Sequence, residues 1–145
     1  MSVITTVRDG VKADFNTAGV GYFGIAFTAS EKWFEVKDHA DEALSVLIIG
    51  DQQRTSRLTR DRQRVEVDIL AHVRKKLSAD TVSEVDALVG MMELMERYYY
   101  ENARISTVKG TLQNSTLQLP SRKQLSQSGR FYGWARLTFL CVNQN

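Results

Sequence analysis

The side chains able to do chemistry in this chain of 145 residues are few. Glu66 and Asp68 stand two residues apart in RVEVDIL, with Asp51 and Asp61 nearby, a carboxylate pattern that a metal-dependent nuclease uses to hold divalent ions. The lysine such a site needs two residues after the acid is missing, because positions 68 and 70 are Asp and Leu. Asp38, His39, Asp41 and Glu42 form a second group of potential ligands, but no further His or Cys lies near enough to complete a coordination set. A turn-and-cap role is expected for them. The glycine-rich stretch NTAGVGYFG, residues 16 to 24, follows a helical pattern instead of a strand and lacks a P-loop lysine, so it reads as a turn and not as a phosphate cradle. His39 and His72 are the only histidines, Cys141 is the only thiol, and no serine sits in a nucleophile-elbow setting. His72, beside Arg74 on the polar side of its segment, is expected to be an ordinary surface histidine. No catalytic residue, metal or cofactor follows from these residues, and the chain is expected not to be an enzyme.

The elements that would position any site are clearer. In RVEVDILAHVRKK, Val65, Val67, Ile69, Ala71 and Val73 alternate with Glu66, Asp68, Leu70, His72 and Arg74, which predicts a strand with one apolar face over a core. Val3, Ile4, Val7, Val11 and Phe15 recur at helical spacing behind Ser2, predicting a first helix from about Val3 to Asn16 that the glycines end. Lys32 to Lys37 and Leu44 to Ile49 read as strands, with Trp33 or Phe34 facing inward. TVSE at 81 to 84 is a capping box. Behind it, Val82, Val85, Leu88, Val89, Met92, Met95 and Tyr99 trace one face of a long helix, with Met91, Met92 and Met95 read as core. Of Tyr98, Tyr99 and Tyr100, at least one must be exposed. Arg104 to Val108 and Thr111 to Leu119 lean towards strand, Ser121 to Gly129 reads as a polar loop, and Arg130 to Val142 reads as a strand apolar on both sides. The resulting fold class is α+β, an antiparallel or mixed sheet with two helices on one face and a long basic hairpin arm, in a single domain spanning 1–145.

That arm, Gly50 to Arg64, holds Arg54, Arg57, Arg60, Arg62 and Arg64 with only Leu58 to bury, so it should be a long hairpin or flexible loop ordered mainly against something else. It belongs to a blocked charge pattern hidden in a net charge of +2: residues 31 to 51 carry −4, 52 to 76 carry +5, 77 to 101 carry −5, and 102 to 145 carry +6. Opposite blocks on one small surface suit contacts between copies, since registry comes from charge pattern and not net charge. One lone cysteine excludes an internal disulfide and fits a reducing cytoplasm. The N-terminal segment has no apolar run of signal-peptide length, and no stretch reaches the ~20 residues of a membrane span, so the chain is expected to stay where it is made.

The element order, the Arg-rich arm entering RVEVDIL and the helix TVSEVDALVGMMELMERYYY together resemble the tail terminator (tail completion) proteins of long-tailed bacteriophages. Those are small α+β proteins that form a ring, usually a hexamer, at the head-proximal end of the tail tube. The resemblance covers most of the chain. It implies a virion structural protein without enzymatic activity, assembled in the host cytoplasm, with the tail tube protein, the head-tail connector proteins and other copies of itself as partners, and with DNA passing through the lumen. The interface residues expected on this reading are Arg54, Arg57, Arg60, Arg62, Arg64, Tyr98, Tyr100 and Trp134. The alternatives are a nucleic-acid-binding protein using the Arg54 to Arg64 arm, whose arginines supply phosphate contacts but no aromatic stacking, or another neck protein such as a connector.

Overall fold

The alternation in the segment after the arm produces the central strand of the molecule. In a computed structural model, which describes residues 2–34, 43–78, 81–102, 110–123, 125–126 and 129–144, this strand is β3 (Arg62–Lys76), preceded by α1 (Val3–Phe23), β1 (Ala29–Lys32) and β2 (Ser45–Arg57). It is followed by α2 (Thr81–Glu101), β4 (Gly110–Gln118) and β5 (Arg130–Gln144). The sheet is mixed, in the order β1-β2-β3-β5-β4, with β1 parallel to β2 and every other pair antiparallel. The fold is α+β.

Val65, Val67, Ile69, Ala71 and Val73 are all buried, and their cross-strand neighbours Val46, Ile48, Ala135, Leu137, Phe139 and Cys141 are buried with them. Val7, Val11 and Phe15 of α1 and Leu88, Met91, Met92 and Met95 of α2 close over that face in one cluster. Burying a Val, Leu, Ile or Met side chain stabilises by about 1.5–3 kcal/mol, so this single layer contact supplies most of the driving force for folding. The methionines are core, as their spacing implies. Val82 is the exception on α2, at 73% exposed, because it lies in the first turn beyond the sheet's reach. Glu84 does reach back, though to Ser78, whose backbone N–H and hydroxyl it accepts, and to Lys75 Nζ at 3.2 Å.

Three sequence expectations are corrected here. The first helix does not stop at Asn16. It runs on to Phe23 through a kink at Gly19 (φ 60°) and closes at Gly24 (φ 78°), whose N–H donates to the Val20 carbonyl. Asn16, expected to end it, brackets the β1 backbone instead, donating to the Ala29 carbonyl at 3.1 Å and accepting from the Ala29 N–H at 2.7 Å. Phe23 thereby joins the core and Tyr22 meets α2, its hydroxyl donating to Glu101. The strand placed at Lys32 to Lys37 is instead β1, ending at Lys32, and both Trp33 and Phe34 are exposed; residues 35–37 lie outside the described residues. The Trp33 ring rests on the Arg8 guanidinium, 4.5 Å from its centroid, over Gly50, where a Cβ would lie 2.7 Å from the ring. Arg104 to Val108 lies outside the described residues, while Thr111 onward is β4.

An Ile69→Asp substitution places an unpaired carboxylate in this core. Its cost of several kcal/mol against a total stability of about 5–15 kcal/mol predicts an unfolded chain by circular dichroism, and a variant melting at the wild-type temperature would refute the assigned facing of β3.

Candidate interaction surface: a locked arm on an open sheet face

Once the helices have taken one face of the sheet, the alternating residues Glu66, Asp68, Leu70 and His72 are directed to the other. The basic arm grows from the same place. β1 flanks β2 only along Val46 to Ile49, so beyond Gly50 the strand has β3 on one side and, among the described residues, no strand on the other. After a register shift between Gly50 and Gln52, pairing runs unbroken from Gln52↔Asp68 to Arg57↔Gln63. The turn closes where the N–H groups of Leu58 and Thr59 both donate to the Arg62 carbonyl, at 3.1 and 3.3 Å. The arm is thus a hairpin continuous with the sheet, not a flexible loop.

Its root is locked by charge. Asp68 is 3% exposed, and the Arg54 guanidinium grips it from the facing strand with Nη1 on Oδ2 at 3.0 Å and Nη2 on Oδ1 at 3.1 Å. The Thr138 hydroxyl, on β5, donates to Asp68 Oδ1 at 2.8 Å. Arg54 also reaches Glu66 at 3.3 Å, which takes a second contact from Arg64 at 3.0 Å, and Arg136 pairs with Asp51 at 3.4 Å. Burial drives the Asp68 carboxyl upward, but hydrogen bonds from Arg54 and Thr138, with the charges of Arg54 and Arg136, outweigh it and hold the group below the usual carboxylate range. Its hydrogen bonds in turn raise the Arg54 guanidinium above its ordinary value. Planar, bidentate geometry is what arginine offers and lysine does not.

This arrangement answers the nuclease pattern. Glu66 and Asp68 do share a face, but Arg54 and Arg64 occupy them, and among the described residues no group of three or more His, Cys, Asp or Glu is arranged to hold a metal ion. Asp38, His39, Asp41 and Glu42 lie outside the described residues.

His72 is also not the surface histidine its register suggested. It is on the open face, yet 8% exposed, because Trp134 directly opposite on β5 stacks on it at 5.6 Å and 13°, with Tyr132 edge-on at 5.6 Å. Burial first, then Arg74, lowers its pKa, against the opposing pull of Asp51. The half-buried Trp134 is therefore on the open face, as a partner-facing residue would be, but engaged with His72.

Besides Trp134, the residues proposed from sequence as one interface divide into four groups. Arg54 and Arg64 form the root lock. Arg57, Arg60 and Arg62 are exposed at the tip, with no ion pair among the described residues. Tyr98 is half-buried, packed edge-on against Phe15 at 5.5 Å and Tyr22 at 5.4 Å. Tyr100 is exposed at the end of α2, where the Ser115 hydroxyl links it to Glu96. Sequence reasoning missed Thr138, for which a lone threonine inside RLTFL was the available signal; Leu58, singled out as the arm's one residue to bury, is half-exposed.

Both shifted groups make the fold acid-sensitive. His72 and Asp68 have folded pKa values below their unfolded ones, so each contributes stability that is complete above its unfolded value and lost as pH falls through the folded one. Melting temperature should fall in two stages, the first beginning below about pH 6.5 from His72 and the second below about pH 4 from Asp68 together with Glu31 and Glu84, whose carboxyls are also held below the usual range by Lys12 and by Ser78 and Lys75. A His72→Gln variant should lack the first stage; retention of both stages in it would rule out this assignment. Thr138→Val, which removes a hydrogen bond to a charged group, should cost about 1.5–3 kcal/mol by chemical denaturation.

Comparison with protein-family models and with curated proteins finds no match, so the surface is read from its own geometry.

Proposed function

We propose that this chain is a ring-forming structural protein of a phage tail, acting at the head-proximal end of the tail tube as a tail terminator, without enzymatic activity. The observation that carries this reading is the arm: a hairpin whose β3 strand is backed by β5 as far as Arg62↔Gln144, neutralised at its root and carrying at its tip three arginines that make no ion pair among the described residues. Its tip, residues 57–62, is exposed throughout and has too little of its own to bury, which fits a surface outside the chain. Acidic α2 in the same chain supplies opposite charge, and a head-to-tail contact between unlike surfaces closes into a ring when the rotation permits. The proposed partners are other copies of the chain in a hexamer, the tail tube protein below and the head-tail connector proteins above, with a place in the virion neck. No helix among the described residues is long and apolar enough to cross a membrane.

The same tip supports one other reading, nucleic-acid binding, and the two part on salt. Three tip arginines without an ion pair among the described residues would give duplex or single-stranded DNA binding whose log affinity falls with log salt at a slope of about −2 to −3. The structural reading predicts rings of uniform diameter in negative-stain electron microscopy and sedimentation at low salt, shifting towards monomer as salt rises. Steeply salt-dependent DNA binding by a protein that stays monomeric at every salt concentration would instead assign the arm to nucleic acid.

A further inference from the structure

Each arm in a ring needs a receiving surface on the next copy, and the inference here rests on the ring reading and deepens it. We infer that the arm tip, Leu58 flanked by Arg57 and Arg60, seats on α2 of a neighbouring copy, in the notch at Gly90 between Asp86 and Glu93.

A glycine weakens a helix interior, and it is usually kept for a positive φ or for close packing. Gly90 has neither: its φ is not positive, and a Cβ built on it would meet nothing within 4 Å. Among the described residues, nothing in the single chain calls for a glycine here. What it leaves is a depression beside the exposed Ala87 on the outer side of α2.

The flanking charges narrow the occupant. Of the α2 acids, Glu84 is held by Lys75 and Ser78, Glu96 by Ser115, and Glu101 by Tyr22. Asp86 and Glu93 are exposed and make no ion pair among the described residues. They lie seven residues apart, two helical turns or about 10 Å, one on each side of Gly90. An open notch framed by two unsatisfied carboxylates matches an apolar knob framed by unsatisfied cations, and the arm tip is such a knob. Leu58 is 50% exposed at the end of a hairpin whose other tip residues are polar or charged. The arm's own chain does not satisfy this match, because its arginines either pair with Glu66 and Asp68 or pair with nothing described. A second copy supplies it. Two arms meeting each other would oppose like charges, so the contact is arm to helix and heterologous.

Gly90→Leu tests this cleanly, since the added side chain enters open space and replaces a poor helix former. Sedimentation velocity at low salt should show a folded variant, melting no lower than wild type, whose assembly needs on the order of tenfold or more higher concentration. Arg57→Glu/Arg60→Glu should weaken assembly similarly, and adding Asp86→Arg/Glu93→Arg to it should restore rings. If Gly90→Leu assembles as wild type does, or the doubly reversed protein is no better than the arm variant alone, the docking site is wrong while the ring reading stands. Wild-type protein that remains monomeric at low salt and high concentration would overturn both.

Discussion

Everything in this molecule depends on β3 giving one whole face to the helices. Five successive inward residues, Val65 to Val73, carry no polar atom, so α1 and α2 both settle on that side and the intervening residues are committed to the other. Because the period of a strand is two, that commitment is rigid: a slip of one residue would exchange Ile69 for Asp68 in the core. Asp68, thus directed to the open face but covered by its neighbours, is a carboxylate out of water that must be met by charge. Arg54 meets it from the facing strand, two residues after the register shift at Gly50/Gln52 that lets the side chains face each other. One requirement of the core therefore dictates where the arm is anchored.

The arm's electrostatics divide accordingly. Near the sheet, arginine and carboxylate balance; past Ser56 they do not, and the excess positive charge sits on the turn. The partly exposed pairs of Glu66 with Arg54 and Arg64 contribute only about 0.2–1 kcal/mol each and mainly orient the arm, whereas buried Asp68 would cost about 3–5 kcal/mol if its Arg54 partner were removed. Holding the hairpin straight lowers the conformational cost of docking its tip, and preorganisation of this kind favours binding without adding contacts.

Where the sequence was legible, burial decided the outcome. The period-two pattern of β3 and the 3.6-residue pattern of Leu88, Met92, Met95 and Tyr99 each report a face turned to the core, and both elements formed where expected. Where it misled, a partner distant in sequence decided. QQRTSR has no apolar alternation, and it is a strand because β3 hydrogen-bonds to it, which explains why a loop and a hairpin were equally plausible from composition. His72 is covered by a tryptophan 62 residues away that the register of β5 brings opposite, and no local pattern encodes that register. NTAGVGYFG looked like the end of a helix because three glycines usually are one, yet Gly19 kinked α1 and only Gly24 stopped it, with Phe23 and Tyr22 gaining burial and a hydrogen bond beyond the kink. The divided interface residues follow the same rule: helical spacing shows that the three tyrosines diverge, but only the neighbouring α1 decides that Tyr98 is half-buried while Tyr100 is exposed.

The central claim is that the arm is preorganised in the free protein, and native-state amide hydrogen exchange tests it most directly. The bond from the Leu58 N–H to Arg62 fixes the alternation of the ladder, so the amides of Gln52, Arg54 and Ser56 point into β3 while those of Gln53, Thr55 and Arg57 point to the open edge. The account predicts slow exchange at 52, 54 and 56, fast exchange at 53, 55 and 57, and loss of the slow set in Asp68→Asn before the rest of β3 is affected. Uniformly fast exchange from Gln52 to Arg57 in the wild type would mean that the arm is a disordered loop, and would contradict the account.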